Sequence, residues 1–264
     1  MTSLILILSF IFGAIIGSFL NVVIYRMNTG RSWGGRSHCM RCNKQLVWYE
    51  LIPIISWLFL HGRCRSCTAP ISAQYIIVET IMGIVALLIA LTFLPLATMS
   101  VGSFLSLSLI YLLFFSILAV VAFYDIRHKV IPHVPLILLT VVAVWIKCLG
   151  PSIFPLQLPA LASFIPVLFA VPFWLLSRFS RETLFGMGDV KLIAVLAFFL
   201  GFWNGFLMIV LAFVIGAVYG IGLVLLKKAD KKTQVPFAPF LILATLLVFF
   251  GFISFPMIFS LFSV

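Results

Sequence analysis

The sequence has few charged residues, and acidic residues are the scarcest of them. Of 264 residues, 64% are hydrophobic and 9% are charged, and Asp and Glu together number 6. A soluble domain of this composition would expose large apolar patches to water. The composition therefore excludes an ordinary soluble protein and predicts an all-α polytopic membrane protein.

Apolar runs recur along the chain, most of them close to the length of about 20 residues that crosses the hydrocarbon of a bilayer as a helix. The first lacks a preceding basic stretch and a following small-residue cleavage pattern, so we expect a retained helix rather than a removed signal peptide. About eight transmembrane helices in a lipid bilayer are predicted. They lie near residues 4–24, 76–94, 103–124, 134–149, 157–177, 189–203, 205–226 and 237–262.

Basic residues predict how these helices are oriented. Of the 17 Lys and Arg, all but Lys147 lie in or beside the connections 25–75, 125–133, 178–191 and 227–235. Lys and Arg that flank spans stay on the cytoplasmic side, so we expect these connections in the cytoplasm and both termini outside it. No basic, aromatic-interleaved domain stands apart from the membrane, so we expect no nucleic-acid partner.

Cysteine is also scarce, with 5 in the chain, but four lie in one long connection. Residues 26–75 contain Cys39-x-x-Cys42 and, after 21 intervening residues, Cys64-x-x-Cys67. Two such pairs can place four thiolates tetrahedrally around one Zn²⁺. Two disulfides are the alternative, although the expected cytoplasmic location is reducing. We predict one structural zinc ion per chain, with no open coordination position.

Other residues of this connection have two possible roles. His38 and His61 each lie near a cysteine and could replace a ligand, although four sulfurs suffice. Residues 48–60 are apolar and aromatic but too short to span a bilayer, which is typical of a segment at the membrane interface. Such a segment either anchors the zinc loop or binds substrate.

The chain contains three aspartates, and two of them lie at the ends of apolar runs. Asp125 ends one run, Asp189 opens another, and Asp230 lies among lysines. Carboxylates at membrane depth are costly unless they pair or perform chemistry. If the two helices pack together, one carboxylate could activate water while its protonated partner donates to a substrate carbonyl. Gly186 and Gly188 would let an extended peptide backbone approach closely.

Each aspartate taken alone has a structural explanation. Asp189 could cap a helix N-terminus, and Asp125 could pair with Arg127 or Lys191. Their matching depth on separate helices, in a chain with so few acids, favours a catalytic pair. The dipole of the helix that Asp189 opens would make Asp189 the more acidic partner. A proton-coupled transporter is the rival class, but it predicts acids near the bilayer midplane and two related halves, and neither is evident.

Taken in order, these motifs resemble those of the type IV prepilin peptidases, the leader peptidase/N-methyltransferases of the GxGD aspartic type. The resemblance implies a bacterial inner-membrane enzyme that cuts the basic leader from prepilins or pseudopilins of type IV pilus or type II secretion systems. It also implies methylation of the new N-terminal residue by S-adenosylmethionine. It rests on residues 17–26, the two CxxC motifs around residues 53–57, residues 75–79, the Asp125 segment, residues 186–192 and residues 236–239.

The resemblance also implies roles for individual residues and regions. Asp125 and Asp189 would be the catalytic acids. The chain would divide into a first helix (1–25), a cysteine loop associated with methyl transfer (26–75) and a peptidase core (76–264).

The sequence patterns that suggest residues for methyl transfer are less specific than those of the aspartates and cysteines. Glu50, Gly62 and Glu79 could hold the methyl donor or orient the substrate amine, and each has a plain alternative as an interfacial acid or a turn glycine. Leu51, His133 and Ala238 depart from the commoner family pattern, and Leu51 lies in the loop to which methyl transfer is attributed. A peptidase without methyltransferase activity is the alternative, and the oligomeric state is left open.

Overall fold

The structure is a computed structural model that describes residues 2–27, 29, 34–97, 100–149, 162–182, 185–226 and 235–253. Over these residues the all-α prediction is confirmed, with two isolated β-bridges beside the helices. Two 3-10 helices cover Trp48–Leu51 and Ala162–Phe169. The α-helices are α1 (Thr2–Arg26), α2 (Ile55–Phe59), α3 (Gln74–Ala97), α4 (Val101–His128), α5 (His133–Leu149), α6 (Ala170–Phe179), α7 (Met187–Leu200), α8 (Phe202–Leu225) and α9 (Ala238–Phe249).

Four helices of the described residues, α1, α3, α4 and α8, are long and apolar enough to cross a membrane. Helices α5 and α9 and the segment Phe164–Phe179 are apolar but shorter. The predicted runs 157–177 and 237–262 lie partly outside the described residues. The prediction of a membrane protein is confirmed, whereas the number of eight spans stays a prediction.

One side of α1 presents an apolar surface. Apolar side chains on one side of this helix are about half exposed, which would be unfavourable in water and is expected in hydrocarbon. Residues of small volume or polar character, such as Gly13, Gly17 and Asn21, are buried instead. The exposed residues are Leu4, Ile7, Leu8, Ile11, Phe12, Ile15 and Phe19.

The chain forms two compact units, Met1–Val120 and Val121–Val264, and the boundary falls within α4. In the first unit, α1 packs along α3. A Cβ at position 13 would lie 2.5 Å from Ala86 Cβ, and one at position 17 would lie 2.8 Å from Glu79 Cα. The two backbones can approach this closely only because both positions are glycine, as in other membrane helix pairs.

The same helix pair fixes both ends of the cysteine connection. Tyr25, near the end of α1, stacks on Tyr75, near the start of α3, with ring centroids 5.2 Å apart. The buried Asn21 side chain donates to the Tyr75 carbonyl oxygen at 3.2 Å. The connection therefore leaves and rejoins the helix pair at the same place.

The second unit is built around α7. Leu192, Ile193, Leu196 and Ala197 are fully buried, and α7 contacts α5, α6, α8 and α9. A helix that is apolar on all sides is expected to be buried in this way. Gly201 (φ +86°) ends α7 and caps α8, a backbone conformation that glycine adopts without a steric penalty.

Candidate functional site

The four cysteines of the connection form one cluster. Their Sγ atoms all lie within 4.8 Å of one another, and the Cys39 and Cys67 Sγ atoms are 3.8 Å apart. A tetrahedron with Zn–S bonds of about 2.3 Å has sulfur–sulfur edges of about 3.8 Å. The sulfurs are free thiols, and the cluster has the donor set and spacing of a four-sulfur metal site.

Each CxxC pair is folded as the same tight turn. The Cys39 N–H donates to the Lys44 carbonyl at 2.9 Å, and the Asn43 N–H donates back to the Cys39 carbonyl at 3.0 Å. Asn43 has a positive φ of 55°. The second turn repeats this pattern, with Cys64 N–H to Ala69 O at 2.8 Å, Thr68 N–H to Cys64 O at 2.9 Å and a φ of 52° at Thr68.

Two thiols of the cluster, Cys39 and Cys67, differ in their pKa. Backbone N–H groups of Cys42 and Arg41 lower the pKa of the Cys39 thiol to about 6. The Ala69 N–H lowers the pKa of Cys67, but burial and the neighbouring sulfurs outweigh it and raise this pKa to about 11. Cys39 and Cys67 therefore do not readily carry negative charge together, and a bound cation would remove that conflict.

The two histidines near the cluster do not join it. His38 and His61 are exposed, and the groups able to hold a metal among the described residues include neither of them. The His38 Nδ1 atom lies 3.3 Å from the Arg36 carbonyl oxygen instead. Four sulfur ligands fit the site better than a set containing histidine.

Glu79, a candidate for methyl transfer, holds an unusual turn. Its Oε2 atom accepts a hydrogen bond of 2.7 Å from the Ile54 N–H, and the Ser18 hydroxyl also bonds to it. Ile54 has φ 64° and ψ −55°, and the Ile55 N–H donates to the Pro53 carbonyl at 2.6 Å. This is a γ-turn with a positive φ, which is rare and strained, particularly for a β-branched residue.

Gly62 and Glu50, the other two candidates, have different surroundings. A Cβ at Gly62 would lie 2.7 Å from the Trp57 ring, and the φ of +65° also favours glycine. Glu50 accepts a hydrogen bond of 3.0 Å from the Val47 N–H and lines a cavity of about 370 Å³. Neither Gly62 nor Glu79 lines this cavity.

The two candidate catalytic aspartates lie in the same unit and interact electrostatically. Asp125 is in the last turn of α4 and is 5% exposed. Asp189 is half-buried in the first turn of α7. The N-cap of α7 is Gly186, so Asp189 is not the cap of this helix. That the two carboxylates form a catalytic pair stays a prediction.

Asp125 has one further partner that the sequence did not predict. The backbone N–H of Ala238, the first residue of α9, hydrogen-bonds to its carboxylate. The Oδ2 atom of Asp125 is buried, and no hydrogen-bond partner for it lies among the described residues. An oxygen in this state can accept a bond from water or substrate.

Gly186 and Gly188, which precede Asp189, have different neighbours. A Cβ at Gly186 would lie 3.3 Å from Asp189 Oδ2. A Cβ at Gly188 would lie 3.0 Å from the Cβ of Ile131, which follows Asp125 in the connection to α5. Gly186 therefore leaves space beside the carboxylate, and Gly188 lets the two aspartate segments pack together.

A second cavity, of about 270 Å³, lies beside the start of α7. Ser177 is fully buried there, and its hydroxyl has no hydrogen-bond partner among the described residues. The cavity provides a polar space next to the candidate catalytic helix. Its lining residues are Ser177, Arg178, Arg181, Glu182 and Met187.

Two regions of the chain match models of known protein families. Residues 11–93 match the model of the bacterial peptidase A24 N-terminal domain, and residues 112–221 match the type IV leader peptidase family. A prepilin leader peptidase/N-methyltransferase of Aeromonas salmonicida (strain A449) is 32% identical over 90% of this chain and 87% of its own length. The chain belongs to the type IV leader peptidase family. It is therefore an enzyme of the peptidase class.

Other relatives with the same name are similarly distant. The protein of Aeromonas hydrophila is 31% identical over 90% of this chain and 87% of its own length. That of Pseudomonas aeruginosa is 29% identical over 88% and 85%. No solved structure matches the chain.

The two candidate sites lie in different matched regions of the chain. The N-terminal region contains the four cysteines and all three methyl-transfer candidates, whereas the leader peptidase region contains both aspartates. The residues that sequence reasoning missed are Ile54, Ile131 and the Ala238 N–H. Their contacts depend on backbone dihedrals and on packing between distant segments, and neither leaves a sequence pattern.

Proposed function

We propose that this chain removes the leader peptide from prepilins or pseudopilins by aspartic proteolysis, with Asp125 and Asp189 as the catalytic acids. The observation that carries the proposal is their electrostatic interaction at the ends of two helices, in a chain with only 6 acidic residues. The family membership and the names of the relatives support the substrate class. Water is the nucleophile, because neighbouring carboxylates can share one proton and activate it.

The surroundings support different roles for the two acids. A hydrogen bond to a charged group stabilises it by about 1.5–3 kcal/mol, and Asp125 receives one from Ala238. A helix dipole contributes about 0.3–1 kcal/mol near the first turn, and this is the effect that favours ionised Asp189. The direct bond is the larger effect. Asp125 is thus the carboxylate that takes a proton from water, and Asp189 is the protonated acid that donates to the scissile carbonyl.

Replacement of each aspartate tests the peptidase. Purified full-length enzyme would be incubated with a full-length prepilin, and the products weighed by mass spectrometry. Asp125→Asn and Asp189→Asn should each lower the rate of leader removal by at least about 10²- to 10⁴-fold. Asp230→Asn is the matched control and should cleave normally. Normal cleavage by either catalytic variant would refute the dyad.

We also propose that the chain methylates the N-terminus freed by cleavage, with S-adenosylmethionine as the methyl donor. The names of the relatives support this activity. When bound, the donor supplies a methyl group on a sulfonium. The free amine of the substrate would accept that methyl group with loss of one proton, and the donor's sulfur would keep the electron pair of the broken bond. The same incubation with and without donor tests this step: cleaved product that never gains a methyl would leave a peptidase alone.

The cysteine cluster is proposed to hold one Zn²⁺ in a structural role. Cys39, Cys42, Cys64 and Cys67 would supply four sulfur ligands, so no position is left for water. The metal would fix the connection between α1 and α3, while the catalytic aspartates belong to the other unit. Metal analysis of the purified protein tests this assignment.

The chain is proposed to cross the bacterial inner membrane about eight times, with the cysteine connection and both aspartates at the cytoplasmic face. The distribution of Lys and Arg supports this orientation. Labelling of single engineered cysteines in intact cells with a reagent that does not cross the inner membrane tests it. Labelling of the connections 25–75 or 125–133 from outside would contradict the orientation.

A further inference from the structure

The start of α9 lies against a candidate catalytic acid. Its N-cap residue, Phe237, provides no side-chain hydrogen bond to the helix, although the first N–H groups of a helix need partners outside it. Pro239 has no N–H, and the Phe240 N–H donates to the Phe237 carbonyl oxygen at 3.0 Å. The Ala238 N–H donates to the Asp125 carboxylate. This carboxylate therefore takes the place of a capping side chain.

The Phe237 ring belongs to a closed cluster of four phenylalanine rings. Its centroid lies 5.4 Å from that of Phe185 and 4.9 Å from that of Phe213. Phe173 completes the cluster, with centroids 5.3 Å from Phe185 and 5.6 Å from Phe213. Aromatic pairs at these distances stabilise beyond the apolar area that they bury. The cluster joins four segments, namely α6 (Phe173), the connection before α7 (Phe185), α8 (Phe213) and the start of α9 (Phe237).

Phe185 connects this cluster to the other candidate acid. It immediately precedes Gly186, the N-cap of α7. Asp189 lies in the first turn of α7, and a Cβ at Gly186 would lie 3.3 Å from its Oδ2 atom. The contact between Phe185 and Phe237 therefore links the segment that carries Asp189 to the helix end that binds Asp125.

We infer that Phe237 is a positioning residue for leader cleavage. By packing against Phe185, it holds the N-terminus of α9 on Asp125 and fixes that carboxylate relative to Asp189. The inference rests on the catalytic roles proposed above for the two aspartates. A hydrogen bond to a carboxylate favours its charged form, and small displacements of catalytic groups lower reaction rates. Phe237 thus acts through the Ala238 N–H on the acid that takes a proton from water.

The kinetics of leader removal by the purified full-length enzyme in detergent test this role. With a full-length prepilin as substrate, Phe237→Ala should lower kcat by about 10- to 100-fold and change KM little, because the reacting groups are displaced. The acid limb of the pH–rate profile should move to higher pH, since Asp125 loses the donor that favours its charged form. Asp189, which interacts with Asp125, is unchanged in this variant. Phe237→Tyr keeps the ring and should stay near wild type.

Phe249→Ala is the matched control. Phe249 ends α9, and its ring stacks on that of Phe199 in α7 with centroids 5.4 Å apart. This variant therefore also removes an aromatic contact of α9, but at the end of the helix far from Asp125. Both alanine variants should lower the midpoint of thermal unfolding, whereas Phe249→Ala should keep the wild-type kcat and pH profile. Equal losses of kcat in the two variants, with unchanged pH profiles, would overturn the inference.

Phe185→Ala removes the same contact from the other side, and it provides the test if Phe237→Ala does not fold. It should reproduce the loss of kcat, and the double variant should lose little more than either single variant, because both act through one contact. Fully additive losses, or wild-type kinetics in both single variants while Asp125→Asn is inactive, would overturn the positioning role alone. Normal cleavage by Asp125→Asn would refute the catalytic pair and this role together.

Discussion

Gly188 packs against Ile131 with no space for a side chain between them. A Cβ at position 188 would lie 3.0 Å from Ile131 Cβ, a separation that ordinary Cβ contacts rarely reach. Ile131 follows Asp125 and Gly188 immediately precedes Asp189, so this contact holds the two aspartate segments together. The glycine nearer the carboxylate in sequence is thus a packing residue, whereas Gly186 borders Asp189 Oδ2 at 3.3 Å.

We predict that Gly188→Ala lowers leader cleavage by about 10- to 100-fold while the protein still folds. The added methyl group must displace Ile131 or α7 by a few tenths of an ångström, and small misplacements of catalytic groups cost rates of this order. Initial cleavage rates at equal protein concentration provide the measurement. Gly220→Ala is the control, because nothing lies within 4 Å of a Cβ there. Equal rates in the two variants would show that the contact does not position the aspartates.

We predict that Gly13→Leu destabilises the pair of α1 and α3. Even the Cβ would lie 2.5 Å from Ala86 Cβ, so the two helices must separate, and overpacking of this kind costs about 1–3 kcal/mol. Thermal unfolding of the detergent-solubilised protein should show a lower midpoint. Gly220→Leu, which places the same side chain in open space, should leave the midpoint unchanged, and an equal decrease in both would contradict the packing.

We predict one zinc ion per purified chain, lost in the double variant Cys39→Ser, Cys64→Ser. Each CxxC turn then lacks one thiolate, so a closed four-sulfur site cannot form. Metal analysis by mass spectrometry gives the stoichiometry. Cys148→Ser, an exposed cysteine outside the cluster, should keep its zinc. Stoichiometric zinc in the double variant would exclude the proposed ligand set.

We predict that Glu79→Ala loosens the γ-turn at Ile54. The Ile54 N–H loses its acceptor at 2.7 Å, and the strained φ of 64° then lacks the contact that offsets it. Hydrogen exchange at residues 52–56 should accelerate and methylation should fall. Adding Ile54→Gly should restore part of the protection, because glycine accepts a positive φ.

Leader removal provides the control for Glu79→Ala. Both aspartates belong to the second unit, so cleavage should persist in this variant. Unchanged hydrogen exchange at residues 52–56 would show that Glu79 does not hold the turn.

Much of the fold and the site could be predicted from residue type and spacing. Hydrocarbon requires long apolar helices, and the positions of α1, α3, α4 and α8 follow the apolar runs of the sequence. The spacing of the two CxxC pairs predicted a cluster because four thiolates at two turns can converge on one cation, and the sulfurs do lie within 4.8 Å of one another. The chain has only 6 acidic residues, and a carboxylate at the end of an apolar helix is costly unless it pairs or performs chemistry. These two facts made Asp125 and Asp189 candidates.

Other features depended on three-dimensional packing. From the sequence, Glu50, Gly62 and Glu79 were equally plausible candidates for methyl transfer. In the structure, Glu50 lines a cavity, Gly62 packs against the Trp57 ring, and Glu79 accepts a hydrogen bond from the turn at Ile54. The contact between Arg65 and Tyr49 also gave no sequence signal, because it depends on the fold of the cysteine turn.

The sequence by itself determined the membrane environment, the metal-type cysteine motif and the identity of the two catalytic candidates. These follow from composition and local spacing, which act on residues near one another in the chain. The tertiary structure alone decided that the Ala238 N–H bonds to Asp125 and that Gly188 packs on Ile131. Those contacts join segments far apart in sequence, and only the packing of the helices sets their distance.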